Sequence, residues 1–162
     1  MKRKIALKKK RRIQGKTNYN RRLELIASAK PRLVIRKSLK NIIIQLIKYE
    51  PNGDKVLVSA HTNELKRDYN LKAAKRNTPA AYLVGLLLGK KALQKGIKEA
   101  VLDLGLYKPI KNSILYAALK GALDSGLSIP HSKEIFPSES RIKGEHLKNM
   151  NFEEVKSNIL KK

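Results

Sequence analysis

The run Asn41-Ile42-Ile43-Ile44-Gln45-Leu46-Ile47-Lys48-Tyr49-Glu50-Pro51-Asn52-Gly53-Asp54-Lys55-Val56-Leu57-Val58-Ser59-Ala60 reads as two β-strands around one turn. Ile42, Ile43, Ile44 and Ile47 supply the β-branched bulk that suits a pleated surface. Pro51-Asn52-Gly53-Asp54 combines the residues that set turn dihedrals, so Lys55–Ala60 is expected to pair antiparallel with Asn41–Tyr49. Apolar side chains fall on both faces of the first strand near its middle, which points to a central or doubly covered position. Upstream, Arg32-Leu33-Val34-Ile35-Arg36-Lys37 reads as a further strand. Downstream, His61 to Asn77 is polar and reads as a loop with at most a turn of helix. Thr78-Pro79 then opens a helix, Thr as N-cap and Pro in the first turn. Its first part, Ala80 to Leu88, is apolar nearly all round and is expected to be buried, and Gly96 is its stop. Ala100–Leu104 is a fourth strand, and strand, helix and strand make a crossover unit that lays helix on sheet. A second core helix follows, capped by Asn112 or Ser113, with Leu115, Ala118, Leu119, Ala122 and Leu123 at i, i+3, i+4, i+7 and i+8 and Gly126 closing it.

The reading is therefore an α/β fold, a small mixed sheet of about four strands with two core helices packed on it. A basic N-terminal arm and a C-terminal extension flank that core. Residues 1–29 form the arm and a short helix, 30–127 the core domain, and 128–162 the extension. In the first segment Gly15 breaks the arm. Asn18 to Ala29 reads as a helix with Leu23, Ile26 and Ala27 on its packing face, ended by Pro31. The extension, with Pro130 and Pro137, reads as irregular until Asn151, whose pairing with Glu154 resembles an N-cap for a terminal helix burying Phe152, Val155 and Ile159.

The charge is the main functional signal. Of 162 residues, 37 are Lys or Arg and 13 Asp or Glu, a net +24, and 41% are hydrophobic. That is enough apolar material for one core. No apolar run approaches the roughly 20 residues of a membrane span, and the basic N-terminus lacks the apolar segment of a secretory signal. Without cysteine there is no disulfide scaffold, thiolate metal site or thiol nucleophile. Residues 1–40 carry +15 and residues 41–162 carry +9, so the surplus is concentrated in the arm but extends through the chain. Such self-repulsion calls for an anionic partner. A membrane-surface arm would present bulky apolar residues on one helical face, and the first 22 residues contain neither Trp nor Phe. Nucleic acid is the better partner, and no membrane is expected. With nine basic residues among the first 16, the arm is expected to lack fixed structure until RNA phosphates neutralise it.

No catalytic constellation emerges. His61, His131 and His146 lie far apart with no metal-ligand spacing, so no metal and no cofactor are expected. Asp103 lies in an apolar strand, where a carboxylate usually bonds backbone or an arginine. The glycines match neither phosphate-binding loop, and Ser113 lacks a nucleophile-elbow context. The RNA-binding candidates are clearer. They begin with the arm, Lys2, Arg3, Lys4, Lys8, Lys9, Lys10, Arg11, Arg12 and Lys16. Asn18, Tyr19, Arg21 and Arg22 follow, mixing guanidiniums for phosphate with an amide and an aromatic for unpaired bases. Tyr107, Lys108 and Lys111 sit between a strand and a helix N-terminus, where backbone N–H groups favour phosphate.

Lys30-Pro31-Arg32-Leu33-Val34-Ile35-Arg36-Lys37-Ser38, Asn41–Gln45, Gly96-Ile97, Leu102–Gly105 and Tyr107-Lys108 together resemble the large-subunit ribosomal protein family L-eighteen. Thr17–Leu23 and the segments Gly126–Ser132, Phe136-Pro137 and Gly144–His146 resemble its archaeal and eukaryotic branch, and the length is that expected of an archaeal member. The resemblance covers nearly the whole chain. It implies no catalysis and a place in the large subunit of a cytoplasmic ribosome, binding 5S rRNA in the central protuberance. Further contacts would be to 23S rRNA and to neighbouring proteins, L-five among them. It adds Arg32 and Arg36 to the RNA-binding residues. Leu106 and Pro109–Asn112 stand where bacterial members often carry glycine before the loop tyrosine and histidine-glycine after it. The competing functions are a free architectural or chaperone protein for nucleic acid and, behind it, an enzyme acting on RNA.

Overall fold

The computed structural model describes residues 7–161. Strands β1 (Arg32–Lys37), β2 (Ile42–Lys48), β3 (Lys55–His61) and β4 (Val101–Asp103) form one sheet. Its order is β3-β2-β1-β4, with β2 inside as its two apolar faces require. The β1/β2 and β2/β3 pairs are antiparallel and β4 runs parallel to β1. The helices are α1 (Lys10–Ile13), α2 (Tyr19–Ala27), α3 (Thr62–Asp68), α4 (Thr78–Gln94), α5 (Ile114–Asp124), α6 (Glu139–Lys143) and α7 (Phe152–Lys161). The crossover from β3 through α4 to β4 thus passes over two intervening strands, because β4 pairs with β1 at the far edge.

Strand alternation separates the two faces of the sheet. The register aligns Leu33 with Leu46 and Leu46 with Val58, and Ile35 with Ile44 and Ile44 with Ala60. All of these are buried and belong to the core with the apolar faces of α4 and α5. Arg32, Val34 and Arg36 alternate with Leu33 and Ile35 and therefore face away from the helices. Edge strand β3 is protected on its free side, since Lys91 of α4 and Lys95, which caps that helix, donate to the carbonyls of Ser59 and Leu57. Lysines on an edge oppose pairing with another chain.

Several local expectations shift. The N-cap of α4 is Asn77, whose side chain accepts from Ala80 N at 2.8 Å, so Thr78 lies one position inside. The polar segment after β3 folds as α3, because His61 Nδ1 accepts from Asn63 N while the Glu64 carboxylate accepts from His61 N, a cap closed from both sides. Ser113 is the cap position of α5 but makes no side-chain bond there. Within the arm, Lys10–Ile13 form the single helical turn α1. Asn18 caps α2 as expected, but Leu23 is 69% exposed and no residue of that helix is buried. Of the face read as packing, Ile26 is half-buried while Leu23 and Ala27 are exposed. Lys2, Arg3 and Lys4 lie outside the described residues.

The C-terminal segment has more order than its prolines suggest. Ile129, Ile142, Phe152, Val155 and Ile159 join the same core as residues 30–127. Lys90 of α4 donates to the last carbonyls of α7, at Ile159 and Leu160, fastening one helix to the other. Phe152 packs against Tyr82 with ring centroids 5.5 Å apart. The Tyr82 hydroxyl donates to Asp124 at 2.9 Å. Burial first, and the Asp124 bond second, push the Tyr82 phenol well above its ordinary pKa. The folded state therefore holds this proton more tightly, so its stabilisation is complete below the ordinary tyrosine range and declines as pH rises above it. Tyr82→Phe should remove that part of the alkaline decline and cost about 1 kcal/mol at neutral pH. Urea unfolding at neutral and alkaline pH measures both.

Candidate nucleic-acid interface

The site lies on the face of the sheet turned away from α4 and α5, and its centre is Arg32. This side chain is only 5% exposed. Its Nη1 donates to Asp103 Oδ2 at 2.8 Å and its Nη2 to Asp54 Oδ2 at 2.7 Å. The register makes this possible. Arg32 is opposite Val101, so Asp103 is two residues along on the same face of the neighbouring strand. Asp103 also accepts from Gly105 N at 2.9 Å, turning the chain out of β4. Asp54 arrives from the β2–β3 turn and accepts a second guanidinium, Arg22 Nη2 at 2.9 Å, from α2. The polar chain Arg22–Asp54–Arg32–Asp103 therefore ties the arm helix, the hairpin turn and the parallel strands β1 and β4 together.

Beside this chain runs an open groove of about 510 Å³. Arg11, Lys16, Arg21, Arg22, Arg32 and Arg36 bring six cationic groups to it against two carboxylates, Asp54 and Asp103. Val34 and Ile47, both buried, form part of its floor, and Leu106 and Tyr107 also line it. An apolar floor with guanidiniums on the walls suits a polyanion whose sugars and bases are partly apolar.

The structure gathers eight of the sequence-selected residues here: Arg11, Lys16, Asn18, Arg21, Arg22, Arg32, Arg36 and Tyr107. The other described ones do not line it. Lys9 stands over the Tyr19 ring, 4.5 Å from its centroid. Lys8, Lys10 and Arg12 are exposed on the arm. Lys108 is exposed on the loop after β4, and Lys111 pairs with Glu134 at 3.1 Å. Tyr107 has a local task as well. Its hydroxyl donates to Lys37 O at 2.9 Å and accepts from Lys37 N at 3.2 Å, pinning the loop to the end of β1.

Arg32 departs most from its expected role. Two carboxylates and burial make it part of the frame in the free protein, whereas Arg36, four residues on, is exposed on the same face. Arg32→Met should therefore cost about 1–3 kcal/mol, by stranding Asp103 and Asp54, while Arg36→Met costs under about 0.5 kcal/mol. Thermal melts of the two variants check this. Asp54 and the apolar Val34, Ile47 and Leu106 are lining residues that sequence reading did not select. Strand alternation was the available signal, since it places Val34 between the two arginines.

No helix among the described residues is long and apolar enough to cross a membrane. The site holds no catalytic grouping: Asp103 is committed to Arg32 and Gly105, and His61 is a helix cap whose Nδ1 accepts from Asn63 N at 2.9 Å. A family profile described as ribosomal large subunit proteins 60S L5 and 50S L18 matches residues 3–99. The large ribosomal subunit protein uL18 of Thermofilum pendens is 52% identical over 140 residues, which are 86% of this chain and 71% of that protein. Basic groove, mixed sheet and sequence matches agree: the chain belongs to this ribosomal family, and it is a non-enzymatic structural constituent of the large subunit of the cytoplasmic ribosome.

Proposed function

We propose that the protein binds 5S rRNA and helps attach it to 23S rRNA in the central protuberance, beside neighbouring large-subunit proteins that include L-five. The observation that carries this reading is the groove on the open sheet face, where six cations from α1, α2, β1 and the segment between the helices converge. The helix layer on the other face is occupied by the core, so the open face is the one free to take a large ligand. Arg21, Arg22 and Arg36 are the phosphate contacts, with Asn18 and Tyr19 available to unpaired bases. Lys2, Arg3, Lys4, Lys8, Lys9, Lys10 and Arg12 act as diffuse counter-charge along the arm, and Lys108 and Lys111 extend the basic rim past Tyr107.

Arg21 is the cleanest test, because no acidic side chain bonds its guanidinium, whereas Arg22 is held by Asp54. Arg21→Lys keeps the charge but loses the planar donor fork, and should weaken 5S rRNA binding by about 1–3 kcal/mol with an unchanged melting temperature. Converting Lys8, Lys9 and Lys10 to arginine should have a smaller effect. Filter binding to 5S rRNA measures both, and equal affinities would reduce the segment to general electrostatics.

A further inference from the structure

We propose that the space between Arg22 and Arg32 is a phosphate-binding subsite for RNA, and that Asp54 fills it in the free protein with its own carboxylate. The proposal rests on the RNA-binding reading above and adds to it a built-in competitor.

The geometry is that of an anion site. One oxygen, Asp54 Oδ2, receives Arg22 Nη2 at 2.9 Å and Arg32 Nη2 at 2.7 Å. Two guanidiniums converging on one oxygen match the demands of a phosphodiester, which likewise spreads one negative charge over two equivalent oxygens. Arg32 is aimed in advance: it is 5% exposed, Asp103 holds its Nη1, and its buried Nε has no partner. Arg22 is the movable half, carried on a helix with no buried residue. Asp54 is also movable, since it follows the Pro51–Gly53 turn, is not held within a strand, and keeps 26% of its side chain exposed.

The exchange is local. When a phosphate enters, Asp54 swings toward solvent and the two guanidiniums transfer to the phosphate oxygens. Arg32 keeps its bond to Asp103, so the sheet is not disturbed. No covalent step is involved. The consequence is selectivity. A lone phosphate group must displace a carboxylate that is already bonded, so generic RNA gains little from this pair. An RNA whose shape also engages Arg21, Arg36 and the arm can drive the exchange. Asp54 thus lowers non-specific affinity more than cognate affinity, as a repulsive element placed against wrong ligands does.

The test uses the full chain, 5S rRNA and an unrelated RNA duplex of similar length as probes. Asp54→Asn should tighten binding to the unrelated duplex by about tenfold and to 5S rRNA by less, narrowing the discrimination. Glu24→Gln makes the same charge change on α2 away from the subsite and should shift both affinities less than about threefold. The Asp54→Asn gain should vanish when Arg22→Ala is added. Asp54→Asn behaving as Glu24→Gln does, or weakening both RNAs at unchanged melting temperature, would overturn the proposal and leave Asp54 as a clamp. If Asp54→Asn does not fold, the wild-type carboxyl carbon of Asp54 gives the answer by NMR. Its resonance should move toward that of a solvated carboxylate on saturation with RNA, and an unmoved resonance overturns the exchange. A wild-type protein without preference for 5S rRNA would contradict the functional reading instead, while the duplex and NMR measurements would still decide on the subsite.

Discussion

Gly85→Ala and Gly121→Ala should each destabilise the fold by about 3 kcal/mol or more, lowering the melting temperature by roughly 6–12 °C. A Cβ built on Gly85 lies 2.0 Å from the carbonyl oxygen of Ala118, and one on Gly121 lies 2.0 Å from that of Tyr82. The clashes are reciprocal: Gly85 of α4 meets α5, and Gly121 of α5 meets α4. In both cases the obstacle is helix backbone, which cannot rotate away as a side chain tip would. The two helices must therefore separate, and the buried side chains between them lose contact over the whole interface. Gly96→Ala offers a contrast. It has open space around its Cβ position but a φ of +73°, so its cost is backbone strain alone, about 1 kcal/mol. Chemical denaturation of the three variants ranks them. Gly121→Ala melting like wild type would mean that the helices are not packed backbone to backbone.

Affinity for 5S rRNA should fall by roughly 10³–10⁵ between about 50 and 200 mM monovalent salt, borrowing the duplex-DNA slope for about 6–10 neutralised phosphates. The groove alone supplies six cationic groups, Arg11 among them, and the first 12 residues hold seven further Lys and Arg. Deleting residues 1–12 should flatten the slope without abolishing binding, because Lys16, Arg21, Arg22 and Arg36 remain. Binding should also persist at salt concentrations that remove an unrelated duplex, since hydrogen bonds from oriented guanidiniums are screened less than long-range attraction. An unchanged slope after deletion would assign the arm to 23S rRNA in place of 5S rRNA.

Much of the core was legible because short-range patterns determine it. The three early strands follow from β-branched runs and the Pro51–Asp54 turn. The paired helices follow from Leu115, Ala118, Leu119 and Ala122 at helical spacing and from the apolar run of α4. What escaped depends on groups far apart in the chain. Helix α2 is held to the sheet by Arg22 meeting Asp54, 32 residues away, while Leu23 and Ala27 of its expected packing stripe stay exposed. Arg32 looks like a surface cation in sequence, yet Asp103, 71 residues on, becomes its neighbour once β4 pairs with β1. The reciprocal cap of α3 was missed because histidine is an uncommon N-cap. The candidate RNA residues were chosen by charge and position, and charge does not tell a free guanidinium from one already bonded to a carboxylate.

The central claim is that RNA lies on the open face of the sheet, with the helix layer turned away. Site-directed photocrosslinking in the complex with 5S rRNA tests it most directly. A crosslinkable side chain at Arg21 or Arg36, both lining the groove, should attach to RNA in high yield. One at Lys120 of α5 or Lys156 of α7, on the helix layer, should attach little. Efficient crosslinking from Lys120 and Lys156, with none from Arg21 and Arg36, would place the RNA on the opposite face and contradict the account.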